Sequence, residues 1–344
     1  MEDAVIVGLD PVTLESADIA ALAALAESLR LEAGVDDTPI TFESEEQAWR
    51  CPLPSGARRV LAVARTDAGA VGRGDATFMY RNGERLAEIG ILYVLPEFRR
   101  SGIGSRLLAE VLEGCHPDTL LVGTTTDRVP AGDFAASVGA TVGLRHDRYK
   151  LEVAQIDWDR YWRWADEGGG PDYELLRWHG ACPEGLLESY VGLTNVMNSA
   201  PQGDMEQPPL LALSVEEFRE RQARREALRV ETWTVVARQR LTGMLVGLHD
   251  VTVPSGGTVA TVQNTGVVEA HRGHGIGRWL KAVMALWLAD ERPAVVRFVT
   301  ATSDINHHMR RVNEELGYQL ELERSIWQVR VGPARSRLRS RLTA

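Results

Sequence analysis

Apolar and polar positions along the chain follow the order strand, turn, helix, strand, and this order occurs twice. In the first half, an apolar, strand-like run over residues 86–94 precedes helically spaced apolar residues over 107–112. In the second half, a run rich in Val and Thr over 258–268 precedes a helical pattern over 279–287. Apolar positions at i, i+1, i+4 and i+5 are typical of a helix with one buried face, whereas Val and Thr favour strands. The pattern predicts an α/β chain built from one unit used twice.

The downstream elements also repeat. A further apolar run follows each helix, at 120–122 and at 295–299. A short helix then ends at Gly139 in the first half and at Gly317 in the second, as glycine commonly ends helices. A final strand is expected after each short helix, at 148–153 and 324–331. The second half also predicts helices over 183–198 and 214–228 and a strand pair over 233–237 and 244–253.

A glycine-rich motif stands between the first strand and the helix of each half. Residues 94–104 and 267–277 both fit Val-x4-Arg-x2-Gly-x-Gly, with a constant offset of 173 residues in a chain whose half-length is 172. A constant offset of half the chain indicates duplication of one domain. The candidate cofactor-binding residues in this motif are Val94, Arg99, Arg100, Ser101, Gly102, Ile103 and Gly104, and Val267, Val268, Arg272, Gly273, His274, Gly275, Ile276, Gly277 and Arg278.

Such a loop favours an anion. The first N–H groups of a helix lack intrahelical partners and lie at the positive end of its dipole, where a pyrophosphate fits. The Rossmann order of glycines is absent, and no Gly-Lys-Ser/Thr follows as in a Walker loop. The alternative is a strand-to-helix turn that binds nothing, which two copies in register make less attractive.

Val-x4-Arg-x2-Gly-x-Gly resembles the acyl-CoA-binding motif of the GNAT superfamily of N-acetyltransferases, and the downstream helix resembles their second conserved segment. Both halves match, as in tandem GNAT proteins of the mycothiol synthase-like kind. The resemblance implies an α/β (α+β) fold of two tandem domains, each a mixed twisted sheet with helices on both faces. It also implies strands that part at a bulge to admit pantetheine, and acetyl-CoA or another acyl-CoA as co-substrate. The expected boundaries are 1–164, a linker at 165–171, 172–331, and a basic tail at 332–344.

The resemblance also bears on catalysis. Where the family has Asn-x2-Ala-x2-Leu-Tyr-x3-Gly-Phe, the second half keeps Asn306 and has Asn313 in the position of the Tyr that often serves as the thiol acid. Asn306 is then expected to hydrogen-bond pantetheine, and Asn313 the sulfur or a water, which leaves the acid unassigned. The first half has Arg128 and Ala135 at these positions, so we expect the second half to catalyse.

The general base has several candidates. Asp204 and Glu206 follow the first helix of the second half, and Asp250 ends a strand. Asn264, on the strand before the loop, can only orient a water. The alternative for Asp204 and Glu206 is that they are solvated loop acids. In the first half, Glu88 stands on the equivalent strand.

Composition narrows the class of protein. The net charge is −10, and the three cysteines lie far apart without a CxxC pair, which fits a reducing cytoplasm better than a disulfide framework. We expect no signal peptide and no membrane span. Four arginines after Val331 are more typical of a solvated end than of a nucleic-acid site. The histidines near the second motif lack metal-ligand spacing, so no metal is expected.

The leading hypothesis is an acyl-CoA-dependent N-acyltransferase, most simply an acetyltransferase, acting on a primary amine of a small molecule by direct transfer. The alternative is a non-catalytic acyl-CoA-binding sensor or scaffold protein. Transfer to protein amines is a third possibility. The identity of the amine and the oligomeric state are left open by the sequence.

Overall fold

The computed structural model describes residues 4–35, 37–81, 83–197, 203–206 and 212–343, with the side chain of Met197 excepted. The chain forms two compact units. Unit 1 comprises Met1–Arg145, Gln202–Pro208 and Glu323–Ala344, and unit 2 comprises His146–Pro201 and Pro209–Leu322.

Regular elements follow one another closely along the chain. The first part contains β1 (Val5–Leu9), α1 (Ser16–Glu32), α2 (Phe42–Arg50), β2 (Arg58–Thr66), β3 (Gly69–Arg81), β4 (Glu84–Val94), α3 (Ile103–Val111), β5 (Leu120–Thr126), α4 (Ala131–Ser137) and β6 (Thr141–Glu152). The second part contains α5 (Trp158–Glu167), β7 (Tyr173–His179), α6 (Leu187–Met197), α7 (Val215–Ala227), β8 (Val230–Gln239), β9 (Leu245–Pro254), β10 (Val259–Val267), α8 (Ile276–Glu291), β11 (Arg297–Ser303), α9 (His307–Glu315), β12 (Gln319–Leu322), β13 (Arg324–Arg330) and α10 (Val331–Thr343).

The strand and helix predictions around both glycine motifs are confirmed. β4 and β10 precede the two loops, α3 and α8 follow them, and α4 and α9 end at the left-handed glycines Gly139 and Gly317, with φ of 87° and 90°. Helix α7 begins at a capping box in which Ser214 and Glu217 each accept a backbone N–H of the other. Local pattern therefore specifies the elements correctly.

Each unit has one mixed sheet. In unit 1 the strand order is β1-β2-β3-β4-β5-β13-β6, and only β4 and β5 run parallel. In unit 2 the order is β6-β11-β10-β9-β8-β7, with β12 beside β6 and only β10 and β11 parallel. The parallel pair lies at the same place in both sheets, directly before and after the loop and helix.

The last strand of each half does not pair as expected. We expected each half to end in its own strand, whereas β13 pairs with β5 and with the first residues of β6 in unit 1. The remaining residues of β6 pair with β11 in unit 2. Strand β6 is 12 residues long, enough to serve two partners. The units therefore follow other boundaries than 1–164 and 172–331, and residues 165–171 connect α5 to β7 within unit 2.

The C-terminal residues also differ from expectation. The expected solvated tail at 332–344 is largely the helix α10. Val331, Ala334 and Leu338 of this helix are buried in the apolar core that α3 also joins. Burial of these three apolar side chains explains why the arginine-rich segment forms a helix that packs within unit 1.

Helices cover both faces of each sheet. In unit 2, Val235 and Ala237 pack in the core that contains α8, whereas Val236, between them on β8, packs in the core that contains α6. In unit 1, Ala62 and Ala64 face the core of α3, and Leu61 and Val63 face that of α1. This alternation is the two-residue period of a strand buried on both faces.

Candidate functional site

The two glycine loops have the same backbone conformation. Gly102 and Gly275, which cap α3 and α8, have φ of 80° and 75°. Two residues earlier, Arg100 and Gly273 also have positive φ, at 65° and 82°. Positive φ is strained for residues with a Cβ, so the glycines at 102 and 275 are required by the turn. The repeat seen in the sequence is a repeat of conformation.

Each loop presents free backbone N–H groups. The capping glycines have no side chain to accept them, and the first intrahelical bonds run from Arg106 N to Gly102 O and from Trp279 N to Gly275 O, both 3.0 Å. The N–H groups before these positions have no intrahelical acceptor. They lie at the positive end of the helix dipole, where a phosphate group is stabilised.

The strands beside each loop part from one another. β4 and β5 pair over three positions ending at Glu88 and Val122, and β10 and β11 over three ending at Thr261 and Val299. Beyond these positions no further pairing joins the strands in the described chain. Strand β10 also bulges against β9 between Val262 and Asn264. A slot thus opens in each sheet next to its loop.

The apolar residues of the motifs hold the loops in place. Ile103 and Ile276 are buried at the start of α3 and α8. Val94 and Val267 end their strands, and a Cβ at Gly104 or Gly277 would lie 3.9 or 3.8 Å from them. Two hydrogen bonds also fix the turns, from Ser101 Oγ to Phe98 O (2.6 Å) and from Val268 N to Val246 O (2.8 Å).

The first arginine of each motif donates to a backbone carbonyl group in the same way, but Arg99 also forms an ion pair. Arg99 Nε donates to Val94 O at 2.9 Å, and Arg272 Nε donates to Val267 O at 3.1 Å. The Arg99 guanidinium also binds both oxygens of Glu32, at 2.7 and 2.6 Å, and its hydrogen bond lowers the pKa of Glu32. Arg272 is exposed and forms no ion pair with any described residue. The charge of the second loop is therefore available to a ligand.

Two further residues of the second loop lie at its exposed side. His274 Nδ1 lies 3.0 Å from Arg272 O, and its ring is exposed. Arg278 places its guanidinium carbon 5.1 Å from the ring centroid of Trp164. Arg278 also lines a cleft of about 400 Å³, together with Arg160, Arg163, Trp164, Glu167 and Glu315.

Asn306 and Asn313 serve the fold around α9. Asn306 is the N-cap of α9, where its Oδ1 accepts from Met309 N at 3.2 Å. Asn313 has no exposed surface. Its Oδ1 accepts from Lys281 Nζ at 2.8 Å, and its Nδ2 donates to Thr302 Oγ1 at 3.0 Å. Both ends of the Asn313 amide are engaged, which leaves it poorly placed for the expected contact with a sulfur.

Lys281 was not among the residues singled out from the sequence. It lies on α8, is 3 % exposed, and its Nζ lies 4.9 Å from the ring centroid of Tyr318. Burial lowers its pKa to about 7. The sequence does mark Lys281 as unusual, because the 173-residue offset between the two motifs aligns it with Leu108, a buried core residue.

Strand β9 carries two buried ionisable residues. His249 is 1 % exposed and Asp250 2 % exposed. The His249 Nδ1 lies 2.8 Å from Thr265 Oγ1, and burial and the charge of Lys281 lower the pKa of His249. Neighbours along a strand point to opposite faces. His249 thus faces α8, and Asp250 faces the core of α6.

Asp250 is the buried carboxyl group nearest the bulge. It stands opposite Asn264 in the ladder of β9 and β10, its Oδ2 lies 3.9 Å from Arg225 Nη1, and its Oδ1 has no hydrogen-bond partner in the described chain. Burial raises the pKa of Asp250 to about 6, opposed by Arg225 and Asn264, and the charge of Asp250 adds to the burial that raises the pKa of Tyr190. A buried, partly unsatisfied carboxyl group with this pKa is suited to proton transfer.

Asp204 and Glu206 belong to unit 1. Asp204 N donates to Gly143 O, and Gln328 binds both Asp204 O and Glu206 N, each at 2.8 Å. Both carboxylates are exposed, and Glu206 lies 3.3 Å from Arg330 Nε. The structure brings Asn264 and Asp250 together in unit 2 but places these two acids in the other unit.

Unit 1 has a carboxyl group at the equivalent place. Asp75 lies three residues after Gly72, which pairs with Val94, just as Asp250 lies three after Gly247, which pairs with Val267. Asp75 binds Arg73 at 2.8 Å, and Arg73 binds Glu45 at 2.6 Å. The buried carboxyl group of unit 1 is thus ion-paired to Arg73, although burial outweighs this pairing and raises the pKa of Asp75.

The described residues contain neither a metal-binding cluster nor a helix able to cross a membrane. No group of three His, Cys, Asp or Glu side chains there could hold a metal ion. None of the helices described is both long and apolar enough to span a bilayer.

Comparison with known proteins shows a similarity within unit 1. Residues 57–136 match the acetyltransferase (GNAT) domain model. This stretch of the chain is similar to a GNAT domain. No curated protein matches the sequence significantly.

The similarity to GNAT structures extends over 95–96% of the chain. A tandem GNAT protein from the clavulanic acid biosynthesis pathway, solved without acetyl-CoA, superposes with a TM-score of 0.76 at 22% identity, covering 96% of this chain and 99% of that one. A GCN5-related N-acetyltransferase from Sphaerobacter thermophilus gives 0.66 at 16% identity, covering 95% and 96%. The Saccharomyces cerevisiae N-myristoyltransferase with bound myristoyl-CoA gives 0.59 at 11% identity, covering 96% and 79%. The predicted tandem GNAT fold is confirmed.

Proposed function

We propose that the protein is an acyl-CoA-dependent N-acyltransferase that transfers an acyl group, most simply acetyl from acetyl-CoA, to a primary amine of a small molecule. The GNAT domain match supports acetyl transfer in general. The observation that carries the proposal is the juxtaposition in unit 2 of a helix N-terminus with free N–H groups, a slot between β10 and β11, and the buried carboxyl group of Asp250 beside the bulge.

In this proposal the second loop binds the pyrophosphate. The N–H groups of Ile276 and Gly277 and the guanidinium of Arg272 meet its negative charge, and Arg278 adds a second cation near the start of α8. Pantetheine enters the slot between β10 and β11 with its thioester near the bulge. Held in this way, the two substrates react within one cleft, which lowers the entropic part of the barrier.

Asp250 is then the general base. Its carboxylate takes a proton from the attacking amine, directly or through a water oriented by Asn264, which faces it across the ladder. A pKa near 6 leaves the group ionised at neutral pH and basic enough to accept a proton. Asp204 and Glu206 lie in unit 1 and ion-pair or face solvent, so they support this role less well.

We place catalysis in unit 2 although the GNAT domain model matches residues of unit 1. In unit 1 the equivalent carboxyl group is bound by Arg73, and the loop arginine is bound by Glu32. These contacts support a unit that shapes or stabilises the protein, or binds acyl-CoA without turnover.

A matched pair of loop variants tests the proposal. Gly275→Val forces a branched residue to a φ of 75°, and Gly102→Val does the same in unit 1. Acetyl-CoA affinity is measured by calorimetry, and turnover by CoA release over a panel of primary amines. We expect Gly275→Val to weaken binding at unit 2 by about tenfold or more and to abolish turnover, and Gly102→Val to leave turnover within about twofold.

Three results would count against the proposal. Turnover that survives Gly275→Val but not Gly102→Val would move the active site to unit 1. Tight acetyl-CoA binding without turnover on any amine would favour the sensor or scaffold protein. Absence of acetyl-CoA binding to the wild type would remove the basis for either function.

A further inference from the structure

The buried ammonium group of Lys281 lies beside the slot in the sheet of unit 2. Its partner Asn313 binds Thr302, which stands on β11 three residues past the last pair with β10, at Val299. On the other side, the charge of Lys281 acts on His249, which binds Thr265 on the part of β10 beyond the bulge. Lys281 is thus connected to both strands at the level where they have parted.

A packing role does not account for a lysine at this position. The equivalent residue of unit 1, Leu108, is 2 % exposed and packs in the core without any polar partner to satisfy. Lys281 forms no ion pair with a carboxylate of the described chain, and its contacts are the neutral amide of Asn313 and the face of Tyr318. Burial of an ammonium group without a counter-ion is costly, which is typical of functional sites.

We propose that Lys281 is the acid that protonates the departing CoA thiolate, and that Asn313 is its positioning residue. The inference rests on the proposed acyl-CoA-dependent activity of unit 2. It supplies the acid that is absent because Asn313 stands where the family has a tyrosine. Asn313 keeps a role near the sulfur in this scheme, by holding the donor.

Acyl transfer by this route forms one bond, breaks one bond and moves two protons. The amine nitrogen forms a bond to the acyl carbon, and the C–S bond breaks with its electron pair on sulfur. Lys281 gives one proton to sulfur, which yields the CoA thiol and a neutral lysine. Asp250 takes the proton that the amine loses. Both groups return to their starting forms by exchange with water.

The surroundings of Lys281 suit proton donation. A free thiol has a pKa near 8.5, above the value of about 7 to which burial lowers Lys281, so the transfer to a thiolate is downhill. The titratable groups around it are His249 from β9, Tyr318 after α9 and Tyr161 from α5. Burial lowers the pKa of His249 and raises those of both tyrosines, so all three are neutral at pH 7.

The composition of the chain allows a direct test that needs no amine acceptor. Only Lys150 and Lys281 are lysines, so a protein labelled with [ε-13C]lysine gives two side-chain resonances, which Lys150→Arg assigns. Each is titrated in the free protein, with CoA, and with desulfo-CoA, which lacks the sulfur. Because the thiol of CoA and the ammonium of Lys281 titrate as a coupled pair, we expect CoA to shift the Lys281 titration to higher pH and to broaden it, and desulfo-CoA to leave it unchanged.

The outcomes separate the two proposals. If CoA binds but shifts Lys281 no more than desulfo-CoA does, Lys281 is not near the sulfur, and the inference fails while the acyl-CoA site stands. If CoA does not bind, the proposed function and the inference fail together. A shift caused by CoA alone supports both.

Kinetics provide a second readout, with the best amine of the panel. We expect Lys281→Met to lower kcat by about 100-fold with the KM for acetyl-CoA within about threefold, and to remove the fall in kcat above pH 7. Lys150→Met, the matched control, should keep wild-type kcat. A loss confined to KM, or a pH profile that keeps its wild-type shape, would reduce Lys281 to a structural residue and overturn the inference.

Discussion

The two units share a scaffold and differ in how they treat their buried charges. Both have a loop closed by a left-handed glycine, a parallel strand pair that parts after three positions, and a buried aspartate at the same place on the neighbouring strand. In unit 1, Asp75 and Arg99 are bound by Arg73 and Glu32. In unit 2, one oxygen of Asp250 has no hydrogen-bond partner among the residues that the structure describes. The duplicated fold thus pairs its buried carboxyl group in unit 1 and leaves the corresponding one partly unpaired in unit 2, among the described residues.

At two positions beneath the loops, unit 2 has polar residues where unit 1 has apolar ones. Leu108 and Ala135 of unit 1 are replaced in unit 2 by Lys281 and Asn313, which are joined by a hydrogen bond. Polar groups of this kind reduce stability unless they are satisfied. A buried unpaired charge that a protein retains at a cost in stability is therefore stronger evidence for a functional site than the shape of the fold is.

The largest expected difference between the units is in the free energy of unfolding after one arginine is removed from each. Arg73→Met removes the cation that bridges the buried Asp75 and Glu45, and we expect a loss of about 3–5 kcal/mol in the free energy of unfolding. Arg225→Met removes a partly exposed cation 3.9 Å from Asp250 and should cost about 1 kcal/mol or less. Urea unfolding of both variants measures the difference. Equal losses would mean that the two aspartates are equally dependent on their arginines.

A second test exchanges each aspartate for asparagine. Asp250→Asn should lower kcat by about 100-fold, or about 2.7 kcal/mol in the barrier, because the base is lost, while acetyl-CoA affinity is retained. In the wild type, activity should fall as the pH drops below about 6, because Asp250 becomes protonated. Asp75→Asn should keep turnover within about threefold. Similar losses in both variants would contradict the assignment of catalysis to unit 2.

The most gradual effect, spread over several pH units, concerns stability against pH. The folded-state pKa of Lys281 is lowered to about 7, so between about pH 7 and 10 the unfolded state holds one more proton than the folded state. The free energy of unfolding should therefore rise with pH in this window, by up to about 1.4 kcal/mol per unit. Lys281→Leu, which restores the residue type of unit 1, should lack this rise. Parallel curves for wild type and variant from pH 7 to 9 would contradict it.

The sequence predicted the local part of the structure well. Strands β4 and β10, the loops, and helices α3 and α8 follow from patterns within about 30 residues of each other, since periodicity and glycine act locally. Asp250 and Asn264 were also named as candidates. The pairing of β13 with β5 could not be read in this way, because it depends on residues about 200 positions apart. Lys281 was missed because a lysine in a helical pattern is usually solvent-exposed.

The position of β13 and α10 has a consequence for biosynthesis. Domains usually fold in the order in which the ribosome makes them. Here unit 1 cannot complete its sheet until residues 323–343 have been made, after every residue of unit 2. We therefore expect the nascent chain to finish unit 2 first, with the N-terminal strands waiting for their last partner. A chain released after residue 322 should contain a protease-resistant unit 2 and a protease-sensitive unit 1.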